Sequence, residues 1–195
     1  MSTEPSGDVV TYTYRPSLLG APWEFRLDGD AIEWRAGRQS GRVALAQVRF
    51  VRLSYRPANL QTHRFVTELW ADGAPKLPIV SASWKSMFDQ ERLDKPYTVF
   101  VTELHRRLMQ AGAGTQFIRG THKVKFWTSV AVFAAVGLGI SVLVVRALQS
   151  GVFAGAAFVG AFLALFLWQG GNFLRRNQPG TYRPDALPPM LLPEP

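Results

Sequence analysis

Two apolar stretches decide the fold, FWTSVAVFAAVGLGISVLVV at residues 126–145 and VFAGAAFVGAFLALFLW at residues 152–168. Neither contains a charged residue or a proline, and the second continues without charge to residue 174. A helix of 20 residues is about 30 Å long, which matches the hydrocarbon core of a bilayer. We therefore predict a transmembrane helical hairpin over residues 123–175, with helices at about 126–146 and 152–174. The alternative is a pair of buried core helices in a soluble domain.

Basic residues flank both ends of this predicted hairpin, whereas the turn between the helices offers only Arg146. Lys and Arg concentrate on the cytoplasmic side of membrane proteins, and tryptophan favours the headgroup region, where Trp127 and Trp168 are expected. We therefore expect both termini in the cytoplasm. The basic residues predicted to lie at the membrane interface are Arg119, Lys123, Lys125, Arg175 and Arg176.

Small residues recur along both predicted helices, several of them four positions apart. This spacing lets helix backbones approach closely in lipid. It does not choose the partner, so the two helices can pack against each other within one hairpin or against another copy in a homo-oligomer. The residues predicted to pack in this way are Ala131, Ala135, Gly139, Gly155 and Gly160.

The net charge of +8 is unevenly divided. Residues 1–118 hold 15 Lys and Arg against 12 Asp and Glu, whereas residues 119–195 hold 7 against 2. Most of the excess therefore surrounds the hairpin, where topology and anionic headgroups account for it. No separate basic patch indicates a nucleic-acid partner. Cysteine is absent, which excludes disulfides and cysteine metal sites.

Residues 9–112 have the pattern of one small α+β domain. Apolar and polar residues alternate on both sides of an Asp-Gly turn in residues 23–35, which predicts a β-hairpin. A second hairpin is predicted over residues 64–80, and an apolar stripe predicts a helix over residues 96–110. Residues 41–57 are expected to form a strand, a helical turn and another strand.

The remaining segments are polar or rich in proline, and we predict no regular secondary structure for them. Residues 1–8 are polar and are expected to be disordered, and residues 113–122 are expected to form a short linker. Residues 176–195 contain six prolines and are expected to be extended. The apolar end of this tail leaves four alternatives open: it docks on the membrane, on the chain's own domain or on a partner, or it stays free.

Three arginines line the polar side of residues 41–57, namely Arg49, Arg52 and Arg56. They form either a solvated face or a face that binds anionic lipid headgroups or a partner. Basic residues near an anionic membrane gain about 1 kcal/mol each.

Short strands in hairpins at residues 23–35, 43–55 and 64–80, followed by a helix at 96–110, resemble a pleckstrin-homology-like (PH-like) domain. The whole chain resembles bacterial membrane proteins that join such a domain to a transmembrane hairpin. The resemblance implies a bent β-sheet or barrel capped by a C-terminal helix. It also implies a multi-pass protein of the bacterial cytoplasmic (inner) membrane. If residues 23–35 were the first hairpin, its acidic tip would argue against phosphoinositide binding there.

No catalytic pattern emerges from the sequence. His63, His105 and His122 lack zinc spacing, and no nucleophile elbow or phosphate-binding loop occurs. We therefore expect no cofactor and no enzymatic activity. The leading hypothesis is a cytoplasm-facing, membrane-anchored scaffold that binds a protein or anionic lipid headgroups. The alternatives are an oligomeric transporter or channel subunit, and an enzyme whose site has no known signature.

Overall fold

The structure is a computed structural model that describes residues 9–57, 63–86, 89–112 and 114–193, with the side chains of Pro57 and His63 left out. The predicted disordered segment 1–8 lies outside the described residues. The chain forms two compact units. Residues 120–179 form one unit, and the residues before and after them form the other.

The first sheet is a four-stranded antiparallel meander in which each strand pairs with the next. The predicted hairpin at residues 23–35 is present, and its turn contains Gly29 with a φ of 57°. However, a strand precedes it, so the acidic turn belongs to the second hairpin of the sheet. The strands are β1 (Val10–Tyr14), β2 (Trp23–Asp28), β3 (Ala31–Ala36) and β4 (Gln39–Ala44).

A short 3-10 turn, Leu45–Gln47, leads into the second sheet. The Leu45 backbone N–H donates to the Asp30 carbonyl at 2.8 Å, which fixes this corner on the β2–β3 turn. Three antiparallel strands follow, as the alternation predicts: β5 (Val48–Pro57), β6 (His63–Ala71) and β7 (Leu77–Val80). A two-stranded ladder then follows, β8 (Ala82–Trp84) with β9 (Gln90–Arg92).

Helix α1 (Asp94–Gln110) begins two residues before the predicted start. Its predicted apolar stripe is buried in the core of the domain, where the ring of Phe100 packs against those of Tyr12 and Phe25. This agrees with the predicted α+β class. The stripe consists of Tyr97, Phe100, Val101, Leu104 and Leu108, each at most 1% exposed.

The described strands form open sheets, and none closes into a barrel. The barrel form that the resemblance implies is therefore absent from the part of the chain that the structure describes. The reason lies at the 3-10 turn, because the chain leaves one sheet there and enters the next without β4 pairing to β5.

Residues 113–122, predicted to be a linker, contain a strand. β10 (Gln116–Arg119) pairs in parallel with β5, from Gln116 opposite Phe50 to Arg119 opposite Leu53. The hydroxyl of Thr115 donates to the Val48 carbonyl at 2.8 Å and fixes the register just before this strand begins.

The proline-rich tail docks on the chain's own domain. β11 (Gly180–Thr181) pairs antiparallel with β10, so that Gly180 lies opposite Arg119. Beyond it, a 3-10 turn at Pro189–Leu191 lies against β5, and the Leu191 side chain is 2% exposed. The segments that enter and leave residues 120–179 are thus neighbouring strands of one sheet.

The second unit contains two long antiparallel helices, α2 (Lys123–Gln149) and α3 (Phe153–Arg176). Both are long and apolar enough to cross a membrane, and only 6% of each apolar window is buried. Core helices of a soluble domain would be mostly buried. Two such helices give a two-span arrangement rather than the multi-pass topology expected from the resemblance.

Candidate functional site

The outward face of the five-stranded sheet carries a cluster of cations around one tryptophan. Side chains on a strand alternate between faces, so the even-numbered residues of β6, and those of β5 from Phe50 onward, lie on the face opposite Thr67, whose hydroxyl shares a hydrogen bond with Tyr97 of α1. We call this cluster the Trp70 face, defined as Arg52, Arg56, Arg64, Glu68, Trp70 and Lys76. Its four cations and single carboxylate give it a formal charge of +3.

Glu68 lies at the centre of the Trp70 face, directly opposite Arg52 in the β5–β6 ladder. Its side chain is only 5% exposed, and its Oε1 accepts hydrogen bonds from Arg56 at 3.1 Å and from Lys76 at 3.0 Å. A buried carboxylate without a charged partner is destabilising, so moving both cations away from Glu68 would raise the free energy of the folded state. Glu68 therefore holds both cations in place while they remain about half exposed.

Trp70 supports the other side of the cluster. The guanidinium carbon of Arg52 lies 5.0 Å from the centre of the Trp70 ring, and the ammonium of Lys76 lies 5.8 Å from it. Both distances lie within the range of a cation–π interaction. The indole thus orders two cations without neutralising their charge, which leaves that charge available to an external anion.

Two features of the Trp70 face are unfavourable in the described structure. Arg56 lies directly opposite Arg64 in the ladder, and like charges in that position are destabilising. The Nε atoms of Arg52 and Arg64 are buried and have no hydrogen-bond partner among the described residues. An anion bound beside Arg56 and Arg64 would offset the repulsion between these two like charges.

The structure brings together two of the three arginines predicted for a lipid or partner face. Arg52 and Arg56 both belong to the Trp70 face. Arg49 does not, because an irregularity between Val48 and Phe50 makes it an extra residue in β5. Its guanidinium forms a salt bridge of 2.7 Å with Asp72 in the β6–β7 turn.

The basic residues predicted for the membrane interface fall into two groups. Lys123 and Lys125 are exposed at the start of α2, and Arg175 and Arg176 occupy the last turn of α3. Arg119 instead belongs to β10, where it is partly buried and its Nε has no hydrogen-bond partner among the described residues. That Nε atom lies next to Gly180, where a side chain larger than hydrogen would collide with it.

The small residues predicted to pack lie mostly away from the helix–helix contact. Ala131, Ala135 and Gly139 are exposed on α2, while Gly155 and Gly160 are partly exposed on α3. The contact within the hairpin uses other positions, and association between copies through the predicted residues stays a prediction. The buried or ring-contacting positions are Gly137, Ala156 and Gly170, with Phe133 stacked on Phe166 at 4.7 Å.

A groove of about 630 Å³ lies beside α1. At its wall Glu103 accepts hydrogen bonds from Arg106 and Arg107. The hydrogen bond from Arg106 is the largest cause that lowers the pKa of Glu103 to about 2. This carboxylate stays ionised at neutral pH and is fully engaged, so it is a poor general base. Among the described residues no group of three His, Asp or Glu side chains can hold a metal ion.

Sequence reasoning missed Arg64, Glu68, Trp70 and Lys76. The signal available was the alternation in residues 64–70, which places Arg64, Glu68 and Trp70 on one face of a strand. Which face of β6 adjoins Arg52 depends on the register between β5 and β6, and this register includes the extra residue at Arg49.

Comparison of the chain with known protein families, curated proteins and solved structures finds no match.

Proposed function

We propose that the chain is a membrane-anchored module of PH-like architecture that binds anionic lipid headgroups through the Trp70 face. The observation that carries this proposal is the set of four cations held around Trp70 and the buried Glu68. Clustered Lys and Arg are attracted to anionic membranes, and tryptophan is favoured in the headgroup region. The Trp70 face combines both properties on one sheet.

The PH-like assignment rests on strand order. A four-stranded antiparallel meander is followed by the antiparallel strands β5, β6 and β7 and then by α1, whose apolar stripe is buried. This is the order that the resemblance implies, apart from the added β8–β9 ladder before α1 and the added strands β10 and β11.

Anchoring is supported by the two apolar helices and by the pairing of β10, which precedes α2, with β11, which follows α3. Arg119 and Gly180 are paired in one sheet, so the chain must leave and re-enter that sheet on one side of the membrane. The excess of Lys and Arg on this side supports a cytoplasmic location of the domain. The resemblance implies that the membrane is a bacterial inner membrane. Tethering raises the effective concentration of headgroups around the domain.

The test uses the full chain in nanodiscs of neutral phosphatidylcholine. Binding to separate vesicles is measured by flotation, with 30% phosphatidylglycerol or with phosphatidylcholine alone, over a salt series. We expect salt-sensitive binding only to the anionic vesicles. At about 1 kcal/mol for each cation, the double variant Arg52→Gln/Lys76→Gln should bind about 30-fold more weakly.

The matched control is Arg26→Gln/Arg42→Gln. Both arginines are exposed on the four-stranded sheet, where Arg26 pairs with Asp28 and Arg42 pairs with Glu33. Their replacement lowers the net charge by the same two units as the replacement of Arg52 and Lys76. This control should bind nearly as well as the unchanged chain. Equal losses in the two double variants would indicate attraction by net charge alone, and no binding to anionic vesicles would turn the search toward a protein ligand.

A further inference from the structure

Before the two arginines of its last turn, the outer face of α3 carries two polar amides on an otherwise apolar surface. Gln169 and Asn172 are three residues apart, which places their side chains about 60° apart around the helix axis. Both are exposed, and neither side-chain amide forms a hydrogen bond with another described residue. The exposed apolar residues on the same face are Phe158, Phe162 and Leu165.

The contacts within the hairpin fix the depth of these amides. The ring of Phe133 stacks on Phe166 and also lies against Gly170, so α3 passes residue 133 between these two positions. Phe133 is seven residues, or about 10 Å, from Phe126, the first residue of the uncharged stretch. Gln169 therefore lies about 9 Å inside the edge of the uncharged stretch and Asn172 about 5 Å inside it, which places the neighbouring Trp168 deeper than the headgroup region expected for it.

Amides at this depth need partners. An amide group in hydrocarbon without a hydrogen bond costs several kcal/mol, and water is not available there to provide one. The face is turned away from α2, so the hairpin itself does not satisfy these groups. Polar residues in such positions commonly bond across helices.

We propose that this face of α3, formed by Phe158, Phe162, Leu165, Gln169 and Asn172, binds the same face of a second copy of the chain. All copies insert in the same direction, so a two-fold axis along the membrane normal brings residues of equal depth together. An amide is both donor and acceptor, so Gln169 can pair with Gln169 of the second copy. The face is thus complementary to itself and needs no other chain.

This proposal goes beyond headgroup binding but rests on the membrane insertion that the proposed function assumes. It also places the contact on a different face from the small residues at 131, 135 and 139. A dimer would carry two Trp70 faces, which would increase their avidity for headgroups.

The chain contains no cysteine, so single cysteines report contacts without background. The full chain is reconstituted in liposomes at low protein density, oxidised and analysed without reductant. We expect a disulfide-linked dimer for Leu165→Cys. Ala164→Cys is the matched control, because residue 164 is exposed at nearly the same depth but points about 100° away around the helix axis.

A second comparison tests the amides themselves. Replacing Gln169 and Asn172 by Leu in the Leu165→Cys chain should weaken association about 3- to 30-fold for each amide. Equal crosslinking at residues 164 and 165, no crosslinking at 165, or crosslinking that survives removal of both amides would overturn the proposed dimer. Alkaline carbonate extraction separates the two proposals, because a chain released from the vesicles would contradict membrane insertion as well.

Discussion

The Nε2 atom of His105 lies 2.7 Å from the hydroxyl oxygen of Tyr182, although 77 residues separate them in sequence. The Nδ1 atom of His105 lies 2.7 Å from the Val101 carbonyl, which can only accept a hydrogen bond. Nδ1 therefore carries the proton of the neutral ring, and Nε2 accepts from Tyr182. The ring of Phe117 packs against both partners. This contact therefore joins α1 and β10, which precede the hairpin in sequence, to the tail, which follows it.

Stability of this unit should depend on pH through His105. Burial lowers the pKa of His105 from 6.5 to about 4, against a smaller opposing effect of the Val101 carbonyl. The unfolded chain therefore takes up a proton first as the pH falls. The stabilisation is complete above pH 6.5 and is lost as the pH falls toward 4, by at most about 3 kcal/mol.

The measurement is the free energy of unfolding of the full chain in detergent at pH 7.5 and at pH 5. This interval avoids the loss of stability from Glu103, which begins only below its ordinary pKa of 4.5. His105→Asn cannot titrate here, so this variant should be less stable at pH 7.5 but should change less with pH. A pH dependence equal to that of the unchanged chain would assign the effect to another group.

Replacing Glu68 by Gln should strengthen binding to anionic vesicles. The change keeps the shape and one acceptor oxygen but raises the charge of the Trp70 face from +3 to +4. One additional unit of positive charge should tighten binding about 5-fold, measured by the same flotation at low salt. Glu24→Gln, on an exposed position of β2, is the matched control. Weaker binding by Glu68→Gln would mean that its ion pairs, rather than free positive charge, make the site.

Packing within the hairpin should depend on Gly170 but not on its neighbour Gly171. A Cβ at residue 170 would collide with the ring of Phe133, whereas a Cβ at residue 171 would have nothing within 4 Å. Gly170→Ala should therefore destabilise the hairpin by about 1–3 kcal/mol, and Gly171→Ala should not. Thermal unfolding in detergent measures the difference. Equal stability of the two variants would place the helix contact elsewhere.

Patterns within short windows of the sequence predicted most of the elements. Uncharged runs identified α2 and α3, alternation around glycine turns identified β2, β3, β6 and β7, and the stripe from Tyr97 to Leu108 identified α1. These signals are local because each depends on residues close together in the chain.

Elements fixed by distant pairing were not predictable in this way. β10 has only four residues and pairs with β5 more than 60 positions away, and β11 has two residues. Nothing in the segment 113–122 marks it as a strand rather than a linker. The Trp70 face depends in the same way on the register of β5 with β6. The alternation within β5 alone predicted Arg52 and Arg56, whereas Glu68 and Lys76 could be assigned to the same face only once the register was known.

Both the proposed headgroup binding and the proposed dimer require that α2 and α3 cross a membrane and return to one side. The most direct measurement labels single cysteines in intact cells with a membrane-impermeant maleimide. We expect Ser150→Cys, in the exposed turn, to be labelled from outside, and Gly114→Cys and Gln178→Cys to be labelled only after permeabilisation. Labelling of all three positions from the same side would contradict the membrane crossing, and the reverse pattern would contradict the cytoplasmic location of the domain.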